Sequence, residues 1–315
     1  MPYLPDLIEE QIPNTDMAWQ LLDSQLPQFR SLYEMWKSWY YKFVKNHAMA
    51  KVISDAMVVC YARMALRNGS LSLSPRSYHN ETHIDDLLLR LIALSQHRTS
   101  DFIPEYGWSL LSLFMCSHDL RQSEINDDLE LVGNNEQATY FEVKRLINQL
   151  DSKKAVRQEH KELLKLMIHG STFGKGEDTH GNIYKGNLVK YILKSVAYFD
   201  DMDKELAYIA CDIDTANVAA PLSDYAVSSL NVYHEVKSLT DREISAKRFF
   251  GEQQEQYFFE LQKFNSQIGK QAFHPLKLDN APIIQSICTT INNLPDTTEN
   301  HRVVEIYQQQ IKANA

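Results

Sequence analysis

The sequence predicts an all-α fold, a helical bundle in a single domain. Apolar residues recur at helical spacing from Met17 through Ile311, and strand signals are scarce. At 315 residues with 44% hydrophobic content the chain can bury a large core, and it lacks an internal Pro- or Ser-rich linker. We expect the loops where the periodicity breaks, near Gly69-Ser70, Thr99–Pro104, Gly170–Gly186 and Asp241.

The bundle is expected between two short flanking segments. Residues 1–30 are predicted as an N-terminal arm, residues 31–295 as the helical domain and residues 296–315 as a C-terminal helix and tail. An amphipathic pattern beginning near residue 281 could be a homodimer contact or a cap on the bundle. Aromatic residues near the start of the domain are expected to pack in the core: Trp36, Trp39, Tyr40, Tyr41 and Phe43.

Charge and composition narrow the class of partner. A net charge of −9 and no cluster of Lys or Arg argue against a nucleic-acid surface. The acidic, Pro-containing N-terminus is unlike a signal peptide, and no apolar run approaches the ~20 residues of a membrane span. Four widely spaced cysteines form no CxxC pair and are expected as reduced core residues. We therefore expect a cytoplasmic protein with no nucleic-acid or membrane partner.

Two segments could together bind a divalent metal ion. In the hexapeptide 78–83 (YHNETH), a helix starting near Pro75 would place His79 and His83 on one face, at i and i+4. The run 108–116 is apolar nearly all round and predicts a buried helix that ends in His118-Asp119, where the helix dipole favours a cation. Alternatively, His83 is a hydrogen-bonded histidine at the core edge and His118-Asp119 is a helix cap.

A further carboxylate is expected to complete the site. Asp212 and Asp214 follow small apolar helical residues, and they point about 200° apart on a helix, so one of them at most should face the metal. The alternative is an exposed acidic helix end. Neutral imidazole with carboxylate suits Zn, Mn, Fe, Co or Ni better than Ca, and an incompletely filled site leaves room for an activated water.

The order His83, His118-Asp119, Asp214 resembles the HD superfamily of metal-dependent phosphohydrolases. The resemblance covers roughly residues 35–295 and extends to Asn135-Glu136 and to Asp212-Ile213-Asp214. It implies an HD-type helical bundle that carries one or two divalent ions, Mg among the candidates. It also implies that the ligands are His83, His118, Asp119 and Asp214.

A more distant similarity links the chain to class I cyclic nucleotide phosphodiesterases. It implies that His79 protonates the leaving oxygen, and the match of Asp214-Thr-Ala-Asn217 to a ligand motif favours Asp214 over Asp212. The segment 266–269 resembles the one that carries a purine-binding glutamine, which makes Gln267 either a substrate contact or a polar helix residue. The family's His-Asp-x-x-His-Pro-Gly loop is absent, since Leu120, Arg121 and Gln122 follow the His-Asp pair.

Other residues are candidates for catalysis or substrate binding. Glu136 could orient a metal water or be a first-turn charge favoured by the helix dipole. His169, which ends an apolar helix, could be a second-metal ligand, a phosphate donor or a satisfied helix-end histidine. Asn80, beside the two histidines of the hexapeptide, is a candidate substrate contact.

The segment Gly170–Asn187 holds five of the ten glycines and is predicted to be a long mobile loop. Lys175, His180 and Lys185 within it could close over a phosphate as a lid, or the segment could be a loop without function.

Together these observations predict a metal-dependent phosphoric ester hydrolase. Its substrate would be a nucleotide or a small phosphorylated metabolite, attacked by a metal-activated water, with His79 and Glu136 as catalytic residues. The alternative is a non-catalytic sensor or regulator that binds metal and nucleotide on the same fold.

Overall fold

The computed structural model describes residues 3–122, 132–177, 183–239 and 244–314. Within these ranges the chain is mostly helical, which confirms the all-α prediction. The α-helices are α1 Leu7–Gln11, α2 Thr15–Gln25, α3 Phe29–Phe43, α4 His47–Arg67, α5 Glu81–Leu94, α6 Glu105–Ser117, α7 Asn134–Leu150, α8 Gln158–Gly170, α9 Val189–Ser195, α10 Asp201–Asp214, α11 Leu222–Leu239, α12 Ala246–Arg248, α13 Gln267–Ala272, α14 His274–Asn292 and α15 Asn300–Asn314.

The chain divides into two compact units, residues 1–214 and residues 215–315. The predicted single-domain architecture, and the predicted boundaries after residues 30 and 295, stay predictions. Short polar side chains cap the first turn of several helices in both units by accepting a backbone N–H, as helix starts favour. These capping residues are Asp6, Asn14, Asn46, Asn80, Ser245 and Ser266.

Helix α6 lies at the centre of the first unit. It packs against α4, α5, α8 and α10. Every residue from Gly107 to Ser117 is buried. The prediction of a central buried helix at 108–116 is therefore confirmed, and the three helices α5, α6 and α10 are in mutual contact.

Of the five aromatic residues predicted to pack in the core, Trp36, Trp39 and Tyr40 are buried, whereas Tyr41 and Phe43 are half-buried. Trp36 and Tyr40 are completely buried and stack on each other, with ring centroids 4.6 Å apart. Trp36 Nε1 donates to Ser112 Oγ at 3.1 Å, and the hydroxyls of Tyr40 and Ser109 are 2.7 Å apart. These hydrogen bonds satisfy polar atoms that burial would otherwise leave unpaired, so they fix α3 on α6.

Within the first unit, a largely buried ion network ties α1 to α4 and α7. Three carboxylates, those of Asp6, Glu9 and Glu142, lie close together. We call them the arginine cluster, because each of them is paired with arginine side chains. Glu142 lies 3.1 Å from both Arg63 and Arg67, and Arg67 also contacts Asp6 at 2.9 Å. Further partners of the three carboxylates are Arg121 and Arg145. The predicted N-terminal arm is thus tied to distant parts of the chain by charge.

The glycine-rich segment differs from the prediction. Strands Phe173–Glu177 and Ile183–Asn187 pair antiparallel, with Lys175 opposite Lys185. The prediction of a loop was wrong for these residues, because pairing satisfies their backbone N–H and C=O groups. Gly186 has φ 83°, a conformation that glycine adopts without strain. This one glycine is therefore required by the backbone conformation near the end of the second strand. His180 lies outside the described residues.

The second unit contains α11 to α15. Helix α14 packs against α13, α15 and the short 3₁₀ turn Thr215–Ala219, and α11 packs against α15. Two π-helical stretches, Phe249–Gln253 and Gln256–Leu261, lie between α12 and α13. The predicted break at Asp241 falls outside the described residues.

The four cysteines, all within the described residues, are buried and form no disulfide, in agreement with the predicted core role. Among the helices that the structure describes, none combines the length and the apolar character needed to cross a bilayer.

Candidate metal centre

Helix α5 begins later than its sequence suggests. Asn80 is its N-cap: the side-chain oxygen accepts from Thr82 N at 2.9 Å, and Nδ2 donates to the Arg76 carbonyl at 2.8 Å. His79 therefore precedes the helix, and the predicted start at Pro75 with His79 and His83 on one helical face was wrong. The physical reason is the capping amide, which stabilises the first turn after residue 80 rather than before it.

Four predicted ligands converge in the first unit, and we call them the imidazole cluster: His83, His118, Asp119 and Asp214. His83 lies in the first turn of α5, His118 is the C-cap of α6 with Asp119 after it, and Asp214 ends α10. His83 Nε2 and His118 Nε2 each lie 3.3 Å from Asp214 Oδ1. Asp119 Oδ2 lies 2.9 Å from His118 Nε2 and 3.6 Å from His83 Nε2.

The two imidazole Nε2 atoms are buried without a hydrogen bond among the described residues. The nearest polar atoms to both are carboxylate oxygens of Asp119 and Asp214, at 2.9 to 3.6 Å. His118 Nδ1 lies 3.2 Å from the Phe114 carbonyl. A proton on Nδ1 satisfies that contact and leaves the Nε2 lone pair facing the cluster, which is the arrangement of a metal-bound histidine.

Burial and the two carboxylates shift the pKa values of the histidines in the imidazole cluster in opposite directions. Burial lowers the pKa of His83, the ordinary effect of removing an ionisable group from water. Burial also acts to lower the pKa of His118, but the carboxylates of Asp119 and Asp214 outweigh it and raise that pKa well above its usual value. A divalent ion would supply the positive charge that the proton on His118 otherwise provides.

The two carboxyl groups respond in the opposite sense. Burial acts to raise the pKa of Asp119, but His118 and the other nearby histidines lower it to about 2. The pKa of Asp214 is likewise held far below its usual range, because His118 and His83 outweigh the effect of burial. Both carboxylates therefore stay ionised at neutral pH, as ligands of a divalent cation must.

The residues fit a divalent transition metal. One ligand atom each from His83, His118 and Asp214 can be chosen so that all three lie within 4.8 Å of one another. Two neutral imidazoles and two carboxylates are the donor set that Zn, Mn, Fe, Co and Ni accept, whereas Ca prefers oxygen ligands.

Asp214, and not Asp212, lies in the imidazole cluster, because helix α10 turns the two side chains to different sides. Asp212 is buried, with 1% of its surface exposed, so the alternative of an exposed acidic helix end is excluded for it. Arg90 of α5 donates to the carbonyls of Ile213 and Asp214 at 3.2 and 3.4 Å. The Arg90 guanidinium thus caps the C-terminus of α10 and holds Asp214, the last residue of that helix, in place.

Glu136 lies in the first turn of α7, and its carboxylate folds back over Gly133. Burial raises its pKa to about 7, and the negative charge of Asp119 adds to the effect. His118 and His79 interact with it electrostatically in the opposite direction. Glu136 is therefore an ionisable group near the imidazole cluster that can exchange a proton close to neutral pH.

His79 lies beside the imidazole cluster although it is not part of a helix. Its ring centroid is 6.3 Å from that of His83 and 4.9 Å from that of Tyr78. Its positive form would lower the pKa of Asp119, so the two groups are within electrostatic range.

The remaining candidate residues for substrate binding are His169, Lys175, Gln267 and Asn80. His169 ends α8 with its ring 5.6 Å from that of Tyr140, and its Nε2 is buried without a hydrogen-bond partner among the described residues. Burial lowers its pKa to about 4. Lys175 is exposed on the first strand, and Gln267 is exposed at the start of α13 in the second unit. A role of these residues or of Asn80 in substrate binding stays a prediction.

Two residues that support the site were missed from the sequence. Gln122 Nε2 donates to Asp119 Oδ1 at 2.6 Å, and Arg90 caps the helix that carries Asp214. The position of Arg90, seven residues after His83 on the same face of α5, is a weak signal that could have pointed to it. No sequence pattern marks Gln122.

No protein-family model, no curated protein and no solved structure matches this chain. A function for it therefore has to be inferred from the geometry of the described residues.

Proposed function

We propose that this protein is a metal-dependent phosphohydrolase of the HD type, which cleaves a phosphoester of a nucleotide or a small phosphorylated metabolite. The observation that carries the proposal is the convergence of four potential ligands from three helices, with two buried Nε2 atoms that lack any hydrogen bond among the described residues. Buried polar atoms normally have a partner, and a cation bound between these imidazoles and carboxylates would provide one.

The ligands would be His83, His118, Asp119 and Asp214. When bound, a divalent ion supplies Lewis acidity toward water and toward a phosphate oxygen. The chain contributes the orientation of its ligands: Phe114 holds the His118 ring through Nδ1, and Arg90 holds the end of α10. The two imidazoles are buried, which strengthens their electrostatic interactions, while the partly exposed carboxylates of Asp119 and Asp214 leave the cluster open to solvent and substrate on one side.

His79 and Glu136 would handle protons at this site. The ring N–H of protonated His79 would donate to the departing ester oxygen, a task suited to an imidazole near the ligands but outside them. Glu136, whose pKa of about 7 reflects its burial, can accept a proton near neutral pH and is suited to act as the general base. Both residues interact electrostatically with Asp119, which supports their assignment to one site.

The test is a panel of nucleoside phosphates, sugar phosphates, cyclic nucleotides and p-nitrophenyl esters, each with Mn, Zn, Mg, Fe, Co or Ni. We expect turnover with at least one pair of metal and ester. His79→Ala should lower kcat by about 10²–10⁴-fold with its metal content unchanged. The loss should be smaller for p-nitrophenyl esters, whose leaving group needs little protonation. The exposed His301 provides the matched control, since His301→Ala should leave kcat unchanged.

Two results would contradict the proposal. Metal uptake with nucleotide binding but no turnover on the whole panel would favour the alternative, a non-catalytic sensor. Failure to bind any of the six metals would remove the basis of both functions.

A further inference from the structure

We propose that Gln122 is a positioning residue, which determines that Asp119 presents its Oδ2 atom to the metal. This inference rests on the proposed function, because it concerns the geometry of one of the proposed ligands. Gln122 lies three residues after Asp119, outside the helices that carry the imidazole cluster.

The two oxygens of Asp119 have different surroundings. Oδ1 accepts a hydrogen bond from Gln122 Nε2 at 2.6 Å. Oδ2 faces the imidazole cluster, at 2.9 Å from His118 Nε2 and 3.6 Å from His83 Nε2. One oxygen is thus held by an amide, and the other is directed at the proposed metal position.

The orientation of the Gln122 amide follows from its partners. An ionised carboxylate only accepts hydrogen bonds, so the amide must turn its NH₂ group toward Asp119 and its oxygen away. That oxygen lies 3.3 Å from Asn135 Nδ2, which donates to it from the first turn of α7. The backbone carbonyl of Gln122 accepts from Arg76. Contacts at both ends of the residue therefore hold the amide in place.

The consequence for the metal site is preorganisation. The terminal torsion of an aspartate is broad, so an untethered Asp119 could rotate and present either oxygen, or both, to an ion. The hydrogen bond from Gln122 restricts this rotation before the ion arrives. Loss of a hydrogen-bonding partner of a metal ligand typically costs about 10–100-fold in metal affinity.

The first measurement is the dissociation constant of Zn²⁺ and of Mn²⁺ from the full chain, by calorimetric titration after chelator treatment. We expect Gln122→Met, which keeps the length of the side chain but removes the donor, to weaken binding by about 10–100-fold. Gln122→Asn, which keeps the amide but shortens its reach, should weaken binding to a similar degree. Two variants of different polarity guard against a folding defect in one of them.

The matched control is Gln158→Met. Gln158 Nε2 also donates to a carboxylate, that of Glu162 at 2.7 Å, but this pair lies on the exposed surface of α8. Its removal should change the dissociation constants by less than about 2-fold, as expected for a surface pair.

The second measurement separates positioning from a general structural role. If Gln122 acts by orienting a ligand, the metal activation curve of Gln122→Met should shift to about 10–100-fold higher metal concentration. At saturating metal, kcat should return to within about 3-fold of the wild-type value, because the ion then holds the carboxylate itself.

The outcomes distinguish this inference from the proposed function. Wild-type protein that binds neither Zn²⁺ nor Mn²⁺, nor any of the other four metals, would overturn both. Wild-type binding, with Gln122→Met and Gln122→Asn equal to it in affinity, would overturn the positioning role alone. A kcat that stays low at saturating metal would also overturn it, because the amide would then act on something other than ligand orientation.

Discussion

The first unit contains two clusters with carboxylate side chains. The distances between their potential ligand atoms are similar, but the positively charged groups that face the carboxylates differ. In the imidazole cluster and in the arginine cluster, three potential ligand atoms lie within 4.8 Å of one another. The carboxylates of the arginine cluster are each paired with guanidinium groups, for example Glu142 with Arg63 and Arg67. Those of the imidazole cluster face histidines whose Nε2 atoms have no hydrogen bond among the described residues.

The comparison shows that proximity of carboxylates does not by itself make a metal site. Guanidinium is always charged and cannot bind a metal, so it neutralises the arginine cluster permanently. Imidazole can release its proton and then act as a ligand, so the imidazole cluster can exchange a proton for an ion. We therefore expect one cluster to determine metal binding and the other to determine the stability of the fold.

The largest expected effect is the loss of metal binding in Asp214→Ala. Its carboxylate lies 3.3 Å from both imidazole Nε2 atoms, so its removal takes away a proposed ligand and half of the cluster's negative charge. We expect affinity to fall by more than about 10³-fold, or about 4 kcal/mol. Asp212→Ala is the control, with a loss below about 10-fold in the same titration. The reverse ranking would show that the other carboxylate is the ligand.

Removal of the central carboxylate of the arginine cluster should destabilise the protein rather than its metal site. Glu142 is completely buried, and Glu142→Ala would leave Arg63 and Arg67 without their shared partner. Breaking a buried ion pair from one side costs about 3–5 kcal/mol, measurable by urea denaturation. The exposed pair Arg302 and Glu305 is the control, since Glu305→Ala should cost less than about 1 kcal/mol. If Glu142→Ala and Glu305→Ala lowered the free energy of unfolding equally, the arginine cluster would contribute no more to stability than an exposed ion pair.

A third buried imidazole, His169, shows how a histidine titrates when burial acts on it without nearby carboxylates. His169 has no carboxylate close by among the described residues, and burial lowers its pKa to about 4, whereas the carboxylates raise the pKa of His118. Between about pH 6.5 and pH 4, His169 is protonated in the unfolded state but stays neutral in the folded state. The free energy of unfolding therefore falls as the pH drops through this range.

The expected loss over that pH range is about 3 kcal/mol, from 1.36 kcal/mol per pKa unit. Unfolding in chelator at pH 7 and pH 4 should show it in the wild type and show correspondingly less in His169→Leu. A pH dependence that is the same in both proteins would mean that His169 is not buried as a neutral ring.

The smallest expected effect is that of chelation on thermal stability. At a free metal concentration of 100 times the dissociation constant, binding stabilises the folded state by about 2.7 kcal/mol. Chelation should therefore lower the Tm of the wild type by roughly 5–10 °C. Asp214→Ala, which keeps the arginine cluster, should show no shift. A shift of equal size in that variant would place the stabilising ion elsewhere.

The sequence predicts the imidazole cluster well where helical periodicity is strong. The apolar run 108–116 predicts a buried helix, which the structure confirms, and the position of His118 and Asp119 at its end follows. The choice of Asp214 rests on the resemblance, and the geometry of α10 agrees with it because the helix ends at that residue. Helix length and face are local properties, which a pattern of apolar residues can reveal.

The start of α5 and the hairpin show where local patterns are insufficient. Asn80 is a favoured capping residue, but its role as a cap depends on the conformation of the preceding segment, which the sequence leaves open. The strands at 173–177 and 183–187 are rich in glycine and weak in strand propensity, so their pairing is decided by contacts formed in the folded protein.

The arginine cluster was missed because its members are far apart in the sequence. Arg63 lies among apolar residues of α4, which signals a buried charge but does not identify the partner 79 residues away. Gln122 presents the same difficulty, since nothing distinguishes it from a surface glutamine until its amide is seen against Asp119. Long-range pairing of polar groups is a property of the tertiary structure.

The contacts of α1 also bear on the order in which parts of the fold can form during synthesis. Glu9 contacts Arg145, a residue 136 positions later in the chain. At a synthesis rate of about 5–20 residues per second, roughly 7–27 s separate the appearance of the two residues. The contact of Asp6 with Arg67 of α4, 61 positions later, can therefore form early, whereas the ion pair between Glu9 and Arg145 can form only after α7 has emerged.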